Sequence, residues 1–312
     1  MSAAATRVLV IGSRGQVARA LIEALPRHGF DVAVAARPEV DLARADTLAP
    51  VVERLRPQAV VNAAAYTAVD RAEDEPDIAM AVNAAGAAAA ARSARAAGAV
   101  VIHFSTDYVF DGTKSEPYEE TDRPCPLGVY GRSKLAGEIG VAAANPRHVI
   151  LRTSWVCSPH GGNFLDTMLR LAGEGRELRV VDDQRGAPTF AADIAEATAR
   201  IIAACVPRRD GDARFGVFHL ASEGETSWCG FTRAIMAGSA ARGGPRAAVT
   251  AIATRDYPTR TRRPAYSKLS TVKLGRIYGL TMPHWQDGLS RCLDARLGHA
   301  QPAGPDPLRE SS

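Results

Sequence analysis

Val8-Leu9-Val10-Ile11-Gly12-Ser13-Arg14-Gly15-Gln16-Val17-Ala18 is the stretch that decides the fold. Four apolar residues ended by glycine are too few for a helix and read as a strand buried on both faces. Gly12-x-x-Gly15-x-x-Ala18 then opens a helix over Gln16 to Leu25. Gly12 permits a tight turn, Gly15 lets the backbone approach a pyrophosphate, and Ala18 allows close helix packing. The helix N-terminus adds amide donors and partial positive charge. Gly12, Arg14, Gly15, Gln16 and Val17 are therefore candidate dinucleotide contacts.

Outward from this loop, strand patterns recur at Val32 to Ala35, Ala59 to Asn62, Val100 to Ser105 and His148 to Arg152. Helical patterns lie between them, including the alanine-rich stretch from Asn83 to Ala97. This alternation predicts an α/β fold with a Rossmann-type, doubly wound parallel sheet. Beyond it, helices are expected at Asn163 to Leu171, Asp193 to Ala204 and from Ser227, and strands at Arg179 to Val181 and Val217 to Leu220. The expected division is a dinucleotide-binding core over 1–155, which segments near 179–221 rejoin, and a smaller C-terminal substrate-binding lobe over 156–298. Residues 299–312 are polar and rich in proline and glycine, the composition of a disordered tail.

A formal charge of +4 over 312 residues, without a long basic block, gives no indication of nucleic acid. Five cysteines, odd in number and without a Cys-x-x-Cys, suit free thiols in a reducing compartment. No segment approaches the roughly 18 apolar residues that a membrane span needs. The expectation is a soluble cytoplasmic protein, monomeric or homodimeric, with no membrane partner.

Chemistry concentrates at the predicted strand ends. Arg37 stands where an acidic residue would usually meet the ribose of NAD, so with Arg14 it favours the 2′-phosphate of NADPH, NADH being the alternative. Asp41 and Leu42 are candidates for the adenine, and Ala64, Ala65 and Thr67 for a flat cofactor lying against backbone. Ser105-Thr106-Asp107-Tyr108 puts hydroxyls at the carboxyl edge of the sheet. In Tyr130-Gly131-Arg132-Ser133-Lys134 the tyrosine and lysine share one helical face, and a cation beside a phenol would lower its pKa. Arg260, Arg262 and Arg263 form the one local basic cluster, suited to phosphate.

Further segments extend this order: Val61 to Asp70, Ser105 to Gly112, Leu151-Arg152-Thr153-Ser154-Trp155-Val156, Asp182 to Thr189, His219-Leu220-Ala221, Gly224 to Trp228, and Arg262-Arg263-Pro264 with Ser267. From about Arg7 to Leu293 the chain resembles the dTDP-4-dehydrorhamnose reductases, a family of the extended short-chain dehydrogenase/reductase superfamily. The resemblance implies NADPH-dependent reduction of the C4 ketone of dTDP-4-dehydro-β-L-rhamnose. It makes Tyr130 the proton donor, Lys134 the holder of the nicotinamide ribose, and Thr106 a hydrogen-bond partner of the sugar oxygen. Asp107, Tyr108 and Trp155 would contact the nucleotide sugar, and Arg263 its phosphates.

Cys157-Ser158, Tyr66 and Tyr266 depart from the residues common in that family and bear on which sugar is accepted. Some family members share Mg²⁺ through glutamates. Gln16-Val17-Ala18-Arg19-Ala20 has no glutamate at that place, so no metal is expected. Two alternatives follow: a 4-ketoreductase of another dTDP-6-deoxysugar, or a non-catalytic partner akin to the regulatory subunit of methionine adenosyltransferase.

Overall fold

A computed structural model describes residues 5–299; the expected tail over 299–312 lies, apart from His299, outside the described residues. The first half alternates β1 (Arg7–Ile11), α1 (Gln16–Arg27), β2 (Asp31–Ala35), α2 (Leu48–Leu55), β3 (Ala59–Asn62), α3 (Pro76–Met80), α4 (Ala87–Ala96), β4 (Val100–Thr106), α5 (Val129–Ala144) and β5 (His148–Thr153). Then come β6 (Val156–Cys157), α6 (Phe164–Gly173), β7 (Leu178–Val181), β8 (Arg185–Gly186), β9 (Thr189–Phe190) and α7 (Ala191–Cys205). The last part holds β10 (Gly216–His219), β11 (Thr226–Ser227), α8 (Trp228–Ala240), β12 (Val249–Ile252), α9 (Val272–Tyr278) and α10 (Trp285–Leu297).

Six strands form one parallel sheet in the order β10-β5-β4-β3-β1-β2. The chain moves outward from β1 to β2 and then crosses back to β3 on the other side. The switch point therefore lies between β1 and β3, and ligands bind outside the carboxyl ends there. All seven residues of β4 are buried, its apolar Val100, Val101, Ile102 and Phe104 together with the polar His103, Ser105 and Thr106. One face of the sheet is covered by α1, α7 and α9, around Leu21, Ile202 and Leu274. The other packs Leu48, Ala90 and Val141 from α2, α4 and α5. Ala87, Ala89, Ala90, Ala91 and Ala94 are all buried, so small side chains bring α4 close to the sheet.

Two expectations need correction. The helix at the alanine run begins at Pro76, with a π-helical turn over Ala81–Gly86. That turn carries Asn83, whose side chain bonds the Tyr66 amide at 2.8 Å and its carbonyl at 2.9 Å. The strand near 179–181 does not rejoin the sheet. β7 pairs in parallel with β12, and α6, α8 and α10 close a separate core around Leu165, Phe231 and Trp285. Of the segments expected to return, α7 covers the sheet and β10 extends it. The remaining short ribbons pair β6 with β9 in parallel and β8 with β11 antiparallel. No helix among the described residues is long and apolar enough to cross a membrane.

Candidate active site

A cleft of about 1550 Å³ runs along the carboxyl ends of the strands, between the sheet and the second lobe. Gly12 turns out of β1 at φ +104°, a conformation that side chains disfavour, and a Cβ there would lie 3.3 Å from the Ala64 Cβ. Gly15 caps α1 in ordinary extended geometry, with only the Ala63 carbonyl within 4 Å of an added Cβ. Its lack of a side chain leaves the amides of the first helical turn approachable from the cleft. Val17 also lines this floor. Gln16 does too, but its side chain has a structural task. It donates to the Val156 carbonyl at 3.2 Å and accepts from Ser158 Oγ and Asn163 Nδ2, each at 2.9 Å, tying α1 to the loop after β6.

Arg14 and Arg37 are exposed on the cleft rim, and among the described residues neither has a carboxylate partner within 4 Å. Two free guanidinium groups near the end of β2 suit a phosphate. Asp41 lines the same wall, with Oδ1 accepting from the Ala43 amide at 3.0 Å, and Leu42 is buried beside it. Ala64, Ala65 and Thr67 follow β3 and line the opposite wall.

β4 and α5 bring Thr106, Tyr130 and Lys134 to the cleft. Thr106 ends β4, accepts from the Tyr108 amide at 3.2 Å and donates to Asp107 Oδ1 at 3.0 Å. Tyr130 and Lys134 lie one turn apart on α5, and both line the cleft although only 9% and 2% exposed. The helix reaches the strand-end turn because residue 131 is glycine: a Cβ there would stand 2.2 Å from the Tyr108 carbonyl. The Tyr130 ring meets Tyr108 edge-on, with centroids 5.7 Å apart.

The electrostatics correct the expected acid. Burial pushes the Tyr130 phenol up, against the lowering influence of the Thr106 hydroxyl. Lys134 instead donates to the Phe104 carbonyl at 2.6 Å, and burial lowers its own pKa to about 8. The helical spacing placed the pair on one face as expected, but a phenol in an apolar pocket stays protonated. That protonated phenol is the form a proton donor needs. Burial also pushes the Asp107 carboxyl up to about 6 and the Tyr108 phenol to about 12. Asp107 Oδ2, Ser105 Oγ and Thr153 Oγ1 are buried without a hydrogen-bond partner and belong to residues lining the cleft.

The far wall comes from the second lobe. Trp155, at φ +46°, stacks flat on Trp228 with centroids 3.6 Å apart, and Phe164 closes over Trp228 at 4.5 Å. Trp228 and Phe164 line the cleft and are not among the expected site residues. Trp228 ends the segment Gly224 to Trp228, but its contact with Trp155 spans 73 residues, which no local pattern reports. Arg263 bonds Asp70 at 2.6 Å and stands 5.7 Å over the Tyr108 ring, so its cleft position is fixed by that ion pair. The departures behave differently. Tyr66 lines the cleft and donates to Glu75 at 2.7 Å. Cys157 sits in the second core at 1% exposure and also borders the cleft. Tyr266 does not reach the cleft; its hydroxyl donates to Glu225 at 2.8 Å.

A family model described as the RmlD substrate binding domain matches residues 6–297. The chain is 46% identical to a dTDP-4-dehydrorhamnose reductase of Sinorhizobium fredii, over 93% of this chain and 98% of that protein. It is 41% identical to the dTDP-4-dehydrorhamnose reductase of Escherichia coli, over 92% and 97%. A crystal structure of dTDP-4-dehydrorhamnose reductase from Bacillus anthracis in complex with NADP superposes with a TM-score of 0.86 at 34% identity, covering 93% of this chain and 99% of that one. The chain belongs to the dTDP-4-dehydrorhamnose reductase family.

Proposed function

We propose that the protein reduces the C4 ketone of dTDP-4-dehydro-β-L-rhamnose to dTDP-β-L-rhamnose with NADPH. The carrying observation is that Thr106, Tyr130 and Lys134, from β4 and α5, converge on one cleft with the glycine loop. The cleft fits a dinucleotide: a side-chain-free turn at Gly12, the open start of α1, and two unpaired arginines on the rim. NADPH, when bound, supplies the hydride that the ketone carbon accepts.

Gly12 to Val17 hold the pyrophosphate at the start of α1, and Arg14 and Arg37 hold the 2′-phosphate. Ala64, Ala65 and Thr67 present backbone to the flat rings. Lys134 orients the nicotinamide ribose. At the ketone, hydride addition turns the carbonyl oxygen into an alkoxide, a base much stronger than a phenolate. Tyr130 then releases its phenolic proton to that oxygen without needing a depressed pKa. Thr106 and Asp107 hold the oxygen and the neighbouring hydroxyl in place, and Trp155 and Tyr108 frame the sugar. Arg263, fixed by Asp70, faces the nucleotide phosphates. Residues 156–298 form most of the sugar wall in this reading, and five unpaired cysteines support a cytoplasmic location.

Incubation of the purified protein with NADPH and freshly generated dTDP-4-dehydrorhamnose tests the proposal. Loss of absorbance at 340 nm and a product whose C4 configuration by NMR is that of dTDP-L-rhamnose are expected. An NADPH-dependent product with the opposite C4 configuration would assign the protein to another dTDP-6-deoxysugar.

A further inference from the structure

Behind Lys134, buried polar side chains form a row from β3 through β4 to α5. Asn62 and His103 are register partners on adjacent strands, 2% and 1% exposed. Asn62 Nδ2 lies 3.1 Å from His103 Nδ1, and His103 Nε2 lies 3.4 Å from Lys134 Nζ. The other end of the row is fixed by backbone, because Asn62 Oδ1 accepts from the Ala64 amide at 3.3 Å. An amide N–H can only donate, so it decides which way the Asn62 carboxamide faces. Its NH₂ group must then donate to His103 Nδ1, which accepts with its lone pair. Burial and the nearby Lys134 hold His103 well below the usual histidine range, so the ring is neutral and carries its one proton on Nε2. That N–H points at Lys134.

We propose that His103, its tautomer locked by Asn62, is a positioning residue for Lys134, presenting an N–H that favours the neutral amine over the ammonium. The proposal rests on the reading of Lys134 as part of the reaction site. An amine donates one N–H to the Phe104 carbonyl, turns another toward the cleft and accepts the His103 proton on its lone pair. An ammonium has no lone pair and meets the same N–H head-on.

The titratable and charged groups around Lys134 come from each packed element. Tyr130 and Glu138 lie on its own helix, His103 on β4, Asp107 and Tyr108 on the turn after β4, and Arg152 on β5. Glu138 favours the ammonium, but its carboxylate is already bonded by Arg152 at 2.9 and 2.7 Å. Burial and His103 therefore act in the same direction, and the ammonium, present below pH about 8, is lost above it. If the rate needs that ammonium, the kcat–pH profile falls on the alkaline side near this value.

Imidazole ¹⁵N NMR of the wild-type protein reads the tautomer directly, independent of any activity. A protonated Nε2 and an unprotonated Nδ1 at neutral pH are expected; a proton on Nδ1 overturns the proposal. Asn62→Asp, whose carboxylate only accepts, is expected to move the proton to Nδ1, and an unchanged tautomer in that variant also overturns it. In His103→Leu the alkaline limb of the kcat–pH profile should rise by about one pH unit, since removal of an opposing dipole favours the charged form. An unmoved limb in folded, NADPH-binding His103→Leu counts against the proposal. Absence of turnover with the sugar would sink the functional reading alone, since the NMR result stands without it.

Discussion

The two sides of the cleft are made in different ways. The dinucleotide side is backbone-built: Gly12, Gly15, Ala64 and Ala65 follow directly from β1 and β3, and a buried parallel sheet fixes their spacing. The sugar side is made of side chains delivered from distant segments, with Trp155 after β5, Trp228 at the start of α8, and Arg263 in the loop before α9. Thr106, Tyr130 and Lys134 stand on the sheet side of that boundary. In the proposed reading, reaction type resides in the half built on the sheet, and substrate identity in the half held by stacking and ion pairs.

Substitutions on each side should therefore separate into effects on chemistry, on cofactor and on sugar. If Thr106 bonds the reacting oxygen as proposed, Thr106→Val should lower kcat on the order of 10²-fold, by analogy with loss of one oxyanion donor. The NADPH dissociation constant, read by fluorescence titration, should stay within about twofold, since the hydroxyl is not assigned to the cofactor. Arg37→Ala should raise the KM for NADPH about tenfold or more, the loss of one charge-assisted contact, and leave the KM for NADH unchanged. Equal losses with both cofactors would break the assignment of the rim to the 2′-phosphate.

Trp228→Ala takes away the indole on which Trp155 rests and should raise the sugar KM about three- to tenfold, the worth of an aromatic pair. A fall in kcat with an unchanged KM would show that the second lobe reaches into the chemistry. Tyr266→Phe should do least. Its hydroxyl serves Glu225 and not the cleft, so the sugar KM should stay within about twofold while stability in urea drops by about 1 kcal/mol.

The same division governs what the chain's sequence reveals. Strands β1, β3, β4 and β5 carry short apolar runs between turn residues, and a strand buried on both faces leaves that mark in its own residues. Gly12 is legible because a turn at positive φ restricts residue type locally, whereas Gly15, in extended geometry, is marked only by its spacing from Gly12. The β7–β12 ribbon was not legible as part of the lobe. Arg179-Val180-Val181 has the apolar character of a sheet strand, and its partner Val249–Ile252 lies about 70 residues away. Trp228 reads as a residue at the start of a helix, and only the fold sets it against Trp155. Tyr130 and Lys134 show the limit within one helix. Spacing put them on one face, but burial set the phenol and the Phe104 carbonyl drew the amino group away. Spacing encodes direction, whereas desolvation depends on everything packed around the site.

The most direct test of the account is single-turnover reduction of dTDP-4-dehydrorhamnose by NADPH-loaded wild-type and Tyr130→Phe protein, followed at 340 nm. The account predicts a loss on the order of 10²–10⁴-fold in the variant, the span of a positioned general acid, with NADPH affinity and thermal stability retained. A folded Tyr130→Phe protein that reduces the ketone within a few-fold of the wild-type rate would contradict it.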